Sequence, residues 1–169
     1  LKVLDFYKPD PAAVAKAQAE LAQQPPAGAD SQTLRDFHIA HARAAEKLGL
    51  FSESAASLRE ALKLFPERDP NRFQVMRQLA TAEAVAINPA ESIKINEEVV
   101  RRARPGAGFI IGTHQHNAQV QANLGDADAA ERSAARTEEA YRAALSTPAA
   151  KLNTYNWQAV VARARRDAL

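Results

Sequence analysis

The sequence predicts an all-α fold, with about three helical hairpins in series and an extra helix at each end. Three observations carry this. Ala supplies 38 of the 169 residues, aromatics make up 6% and Cys is absent. That composition favours helix over sheet, because Ala is the strongest helix former and aromatic residues are scarce. Apolar residues recur at helical spacing in one segment after another. Stop signals at Pro25 and Pro26, Pro66, Pro105 and Pro148 return at intervals of roughly 40 residues, in the range of repeat arrays.

The first predicted helix runs from Pro11 to Gln24, with Asp10 as N-cap and Pro11 at the first helical position. Val14, Ala17 and Leu21 make its apolar stripe, and Pro25 to Ser31 form a linker. Leu34, Phe37, His38, His41, Ala45 and Leu48 then share one face of a helix closed by Gly49. Its partner carries Phe51, Ala55, Leu58, Leu62 and Phe65 and stops at Pro66. A second hairpin sets Phe73, Met76, Leu79, Ala80 and Ile87 against Ile93, Val99, Val100 and Ala103 across an Asn88-Pro89 turn. The third sets Ile110, His114, Ala118 and Leu124 against Ala130, Ala134, Tyr141 and Leu145 across Gly125-Asp126. The last helix, Ala149 to Ala168, is apolar on two faces, with Leu152, Tyr155 and Ala159 on one and Trp157, Val160 and Val161 on the other. It therefore needs a further neighbour, and its uncovered face offers self-association.

The predicted layout is an N-terminal helix and linker over 1–31, hairpins at 32–68, 69–105 and 108–147, and a terminal helix at 149–168, all in one structural domain. Gly49 and Gly125 flank Ile87 at equal distances along the chain. The same step, about 38 residues and so in the range of hairpin repeats, links Glu53 with Glu91 and Ser54 with Ser92. Because the first residue is Leu1 rather than Met, the expectation is a piece of a longer protein.

Twenty-two basic side chains stand against 20 acidic ones, so nucleic-acid binding is not implied by charge. The basic residues Arg101, Arg102, Arg104, Arg163, Arg165 and Arg166 read first as solvated helix ends. No disulfide or thiolate chemistry is possible without Cys, and no apolar run approaches the roughly 20 residues of a membrane span.

From Leu34 to Pro66 the chain resembles the tetratricopeptide repeat family. Gly49 and Phe51 match its turn glycine and aromatic, Ala61 and Leu62 its Ala-Leu pair, and Pro66 its closing proline. Departures are His38 and His41 where Trp and Leu are usual, Ala42 for Gly, and Ser54 for Ala. The second unit keeps Met76, Leu79, Ala80, Val99 and Val100, and the third keeps Leu124, Gly125 and Ala130. The resemblance implies a right-handed superhelix whose first helices line a concave groove, and a non-catalytic scaffold for a protein or peptide. It also implies attachment to an effector or enzymatic domain, common among Ala/Arg-rich members of bacterial look.

Carrying the family's groove-facing positions onto this register selects Ile39, Arg43, Gln74, Arg77, Thr81, Gln115, Gln119 and Asn123, with Asn153 and Trp157 on the last helix. Arg and amide groups suit a peptide's backbone and acidic groups, and Trp157 suits an anchor. These residues fit a solvated face equally well, and Trp157 fits a core. The Lys/Asn carboxylate clamp of some members is not reproduced, because Ile39, Arg43 and Gly112 occupy its positions.

Four histidines invite a zinc reading, but His114 and His116 project about 200° apart on a helix, so hydrogen-bonded, partly buried imidazoles are expected and no metal is assigned. Gly106, Gly108 and Gly112 miss the dinucleotide-loop spacing and follow a helix, which reads as a flexible turn. Glu83, Asn96, Asn117 and Gln121 interrupt apolar faces and require cross-helix partners. No catalytic set or cofactor is assigned. The alternatives from other classes are a helical-repeat nucleic-acid binder using the Arg clusters, and a metal- or small-ligand-dependent regulatory domain using the histidines.

Overall fold

The computed structural model describes residues 10–67 and 69–168, so the first nine residues of the predicted 1–31 segment, along with Arg68 and Leu169, lie outside the described residues. The fold is all-α, with eight helices and no strand among the described residues. The helices are α1 (Pro11–Leu21), α2 (Ser31–Lys47), α3 (Phe51–Lys63), α4 (Asn71–Val85), α5 (Pro89–Arg102), α6 (Phe109–Asn123), α7 (Ala127–Leu145) and α8 (Ala150–Asp167). No described helix is long and apolar enough to cross a membrane.

Helix starts follow local chemistry. Asp10, Asp30 and Asp126 each accept a backbone N–H of the first turn, from Ala12 at 3.0 Å, Thr33 at 2.7 Å and Ala129 at 3.0 Å. Helix α1 stops at Leu21, short of the Gln24 predicted, because Gln24 precedes Pro25 and proline disfavours helical backbone in the residue before it.

Helices α2, α4 and α6 end at Lys47, Val85 and Asn123, and α3, α5 and α7 begin at Phe51, Pro89 and Ala127, so both sets of boundaries advance by one constant interval. Gly49, Ile87 and Gly125 sit in the intervening turns with φ of 74°, 62° and 76°. At the two glycines the N–H of the next residue reaches back to the last turn, Leu50 to the Ala45 carbonyl at 2.9 Å and Asp126 to that of Gln121 at 3.0 Å. This is the left-handed helix stop that glycine adopts without strain. Ile87 takes the same conformation with a β-branched side chain. It is 90% exposed, so it belongs to the turn and not to the apolar stripe predicted for it.

Burial follows the same interval. Ala42, Ala80 and Ala118 are each at most 1% exposed, and Ser54, Ser92 and Ala130 are fully buried. Ser57, Ile95 and Ser133, and then Ala61, Val99 and Thr137, continue the series. The small residues at most of these sites, Ile95 and Val99 apart, let helix axes approach closely, and dispersion across the contact rewards the approach.

The chain divides into two compact units, Leu1–Ala86 and Ile87–Leu169, with the boundary at the Ile87 turn inside the 69–105 segment. In the first unit α1 packs on α2, and α3 packs on both α2 and α4. Leu58 of α3 is 1% exposed, and its burial contributes about 2 kcal/mol. The buried Glu83 of α4 is ion-paired with Arg59 of α3, and Arg72 donates to the Leu62 carbonyl at 2.7 Å. In the second unit α6 packs on α5, α7 and α8, and α7 packs on α8. Ile111, Ala144, Trp157 and Val161 form its core, while Leu152 and Tyr155 of α8 are each 88% exposed.

Candidate functional site

Three of the predicted groove residues meet in the first unit. Ile39 and Arg43 of α2 and Gln74 of α4 line one cleft of about 190 Å³. Asn71 and Gln78 add amides, Phe65 gives an apolar wall, and Arg35 stacks over the Phe65 ring at 4.5 Å from its centroid. Asp69 lies 3.7 Å from Arg35, so that cation is neutralised. Arg43, by contrast, is exposed and has no ion pair among the described residues.

Arg77, on α4 beyond Gln74, does not line this cleft. It is partly buried, no carboxylate pairs with it among the described residues, and burial alone lowers its pKa from the ordinary arginine value. Thr81 is exposed, and its hydroxyl is committed to the Arg77 carbonyl at 3.1 Å. The first unit therefore offers one open and one half-buried cation beside a row of amides on α4. Arg35 and Gln78 were missed from sequence, although each stands one helical turn from a selected position, Ile39 or Gln74, on the same helix face.

The five selected residues of the second unit divide differently. Gln119 and Asn123 are exposed, one turn apart on α6. Gln115 reaches Asp167 of α8 at 3.4 Å, and Asn153 donates to the Ala149 carbonyl next to its own helix at 2.9 Å. Trp157 is 9% exposed within the core. Its ring lies so close to Gly108 that a Cβ there would fall 2.9 Å from Cε2, which explains a glycine before α6 without any ligand. The turn read as flexible is therefore packed against α8. Trp157 takes the core reading and offers no anchor to a partner in this unit.

The histidines have surroundings of their own. His41 makes two bonds, from Nε2 to the Leu21 carbonyl at 3.0 Å and from Nδ1 to Ser57 Oγ at 2.8 Å. A carbonyl only accepts, so Nε2 is the donor to Leu21, while the Ser57 hydroxyl, able to donate or accept, pairs with Nδ1. This imidazole ties the end of α1 to α3. His116 meets Ser92 of α5 at 3.2 Å, whereas His114 lines a cleft along α7. His38 packs edge-on to Phe37, and burial holds its pKa below the ordinary imidazole value against the pull of Glu60. Among the described residues no group of three or more His, Asp or Glu could hold a metal ion.

The interrupting polar residues are satisfied across helices. Asn96 donates to Asn117 at 2.8 Å between α5 and α6, with both residues buried. With its amide nitrogen turned inward, Gln121 donates to the carbonyls of Ala129 at 2.9 Å and Asn117 at 3.1 Å and to Ser133 at 2.6 Å. These groups hold helices together. Compared with known proteins, the chain matches no family model, no curated protein and no solved structure.

Proposed function

We propose that the chain is a tetratricopeptide-like array, a right-handed superhelix of about three hairpins, acting as a non-catalytic scaffold that binds an extended peptide along its first helices. The recurrence of helix boundaries, left-handed turns and buried small residues at one interval supports this most directly. A stack of similar hairpins exposes the same helix face in each hairpin.

The partner favoured is a peptide segment with acidic groups. Among the described residues Arg43 has no counter-ion and Arg77 is half-buried without one, so a carboxylate would restore the balance that burial disturbs. Gln74, Gln119 and Asn123 supply exposed amides for a peptide backbone.

A peptide-display selection on the whole chain tests the reading. The expected outcome is enrichment of extended sequences with acidic residues, whose affinity falls by about tenfold or more in Arg43→Glu and Arg77→Glu while helical circular dichroism is unchanged. No enrichment, or peptides indifferent to both charge reversals, would overturn it.

A further inference from the structure

A second cleft, apart from the exposed amides Gln119 and Asn123, lies in the second unit between α6 and α7. It encloses about 270 Å³. Ile110, Ala140 and Ala143 give it an apolar floor, and His114, Arg136 and Glu139 give it polar walls. The turn at Gly106 closes one end, with φ of 78° and so near α7 that a Cβ would lie 3.1 Å from Thr147 Cγ2. The size falls just under the roughly 300–1,000 Å³ of drug-sized sites, so the occupant is small.

The charges on this cleft are open. Neither Arg136 nor Glu139 has an ion pair among the described residues, although Glu138 beside them bonds both Arg142 at 2.7 Å and Arg165 at 2.5 Å. The His114 ring has no hydrogen-bond partner among the described residues. Burial, then Arg136, lower its pKa while Glu139 opposes them, leaving a neutral ring that donates at one nitrogen and accepts at the other.

The same trio occurs two repeats earlier as His38, Glu60 and Lys63, with the order of the charges reversed. There Lys63 already holds Glu60 at 2.6 Å, so the pair satisfies itself. Of the two copies, the second-unit one leaves both charges free for a ligand.

We propose that this cleft binds a free α-amino acid with a short aliphatic side chain: carboxylate on Arg136, ammonium on Glu139, side chain on the Ile110–Ala140–Ala143 floor, and His114 hydrogen-bonded to the carboxylate. A simple carboxylate would face Glu139, and a simple amine would face Arg136. Only a zwitterion answers both charges at once.

Titration of the whole chain with L-leucine, isovalerate and isopentylamine, read at the His114 ring by NMR, tests this. The expected result is a saturable shift with leucine and binding about tenfold weaker or worse with either half-molecule. Arg136→Gln and Glu139→Gln should each weaken leucine by about tenfold with helicity intact, whereas Lys63→Gln should leave it unchanged. No saturable shift up to the solubility of leucine, equal response to all three compounds, or indifference to both α7 substitutions would overturn the proposal. The peptide selection above is read at Arg43 and Arg77 of the first unit and is untouched by either result.

Discussion

Where the α2–α3 hairpin buries Leu58, the corresponding site of the α6–α7 hairpin holds Ala134, and Ala61 and Ala45 correspond to Thr137 and Gln121. Both hairpins are lined mainly by hydrocarbon, and the second adds buried amides, Asn117 bonded to Asn96 of α5 and Gln121 bonded to Ser133. Yet both keep the same helix ends at the turn, the same left-handed glycine and the same buried alanine, Ala42 or Ala118. The turn and the small-residue contact therefore set the register. The remaining core varies around them, from Leu58 to Ala134 and from Ala61 to Thr137, while α8 adds Trp157 to the core of the second unit.

The sharpest way to separate the two regions is to damage each core alone. Trp157→Ala should cost about 3–5 kcal/mol and Leu58→Ala about 3 kcal/mol. Hydrogen exchange should rise first in α6–α8 for the former and in α2–α4 for the latter. Uniform loss of protection in both cases would show that the units do not melt separately.

The polar core of the second unit makes a finer contrast. Asn117→Leu strands the Asn96 amide and should cost about 1–3 kcal/mol in urea unfolding, whereas Asn96→Leu with Asn117→Leu should cost less than the sum of the singles. Strict additivity would mean the pair is not coupled.

The three turns differ in a way that predicts a gain. Ile87 carries the left-handed strain that Gly49 and Gly125 avoid, so Ile87→Gly should raise stability by about 1 kcal/mol and Gly49→Ala should lower it by about the same. Thermal shifts of the same sign in the two variants would mean that the turns are not equivalent.

The smallest effect is in pH. His38 and His114 both titrate below the ordinary imidazole value of 6.5 in the folded chain, chiefly through burial. The folded state then binds fewer protons than the unfolded one, so stability is full above that ordinary value and falls as pH drops below it. His38→Gln and His114→Gln should each flatten the melting temperature between neutral and mildly acidic pH.

Much of the framework was legible in the chain. Gly49, Gly125 and the Asn88-Pro89 pair marked the interval, because glycine and proline constrain backbone locally. Ile87 was misread since its residue type argues for a buried stripe, and only the turn geometry required of it reveals otherwise. The Arg43 cleft was half legible, as its members repeat at each turn of helices whose faces periodicity defines. Gln115 with Asp167, Trp157 over Gly108, and the His114 cleft depend on side chains reaching between helices. No single-helix pattern encodes such contacts.

Beneath both hairpins lies one requirement, that a single interval of the chain is a self-matching structural unit. Duplicating the stretch 33–70 in tandem tests it directly, by circular dichroism and thermal melting of the lengthened chain. A stackable repeat predicts unchanged ellipticity per residue and a cooperative transition no lower than that of the parent. Loss of helicity, or a broad transition without a baseline, would contradict it.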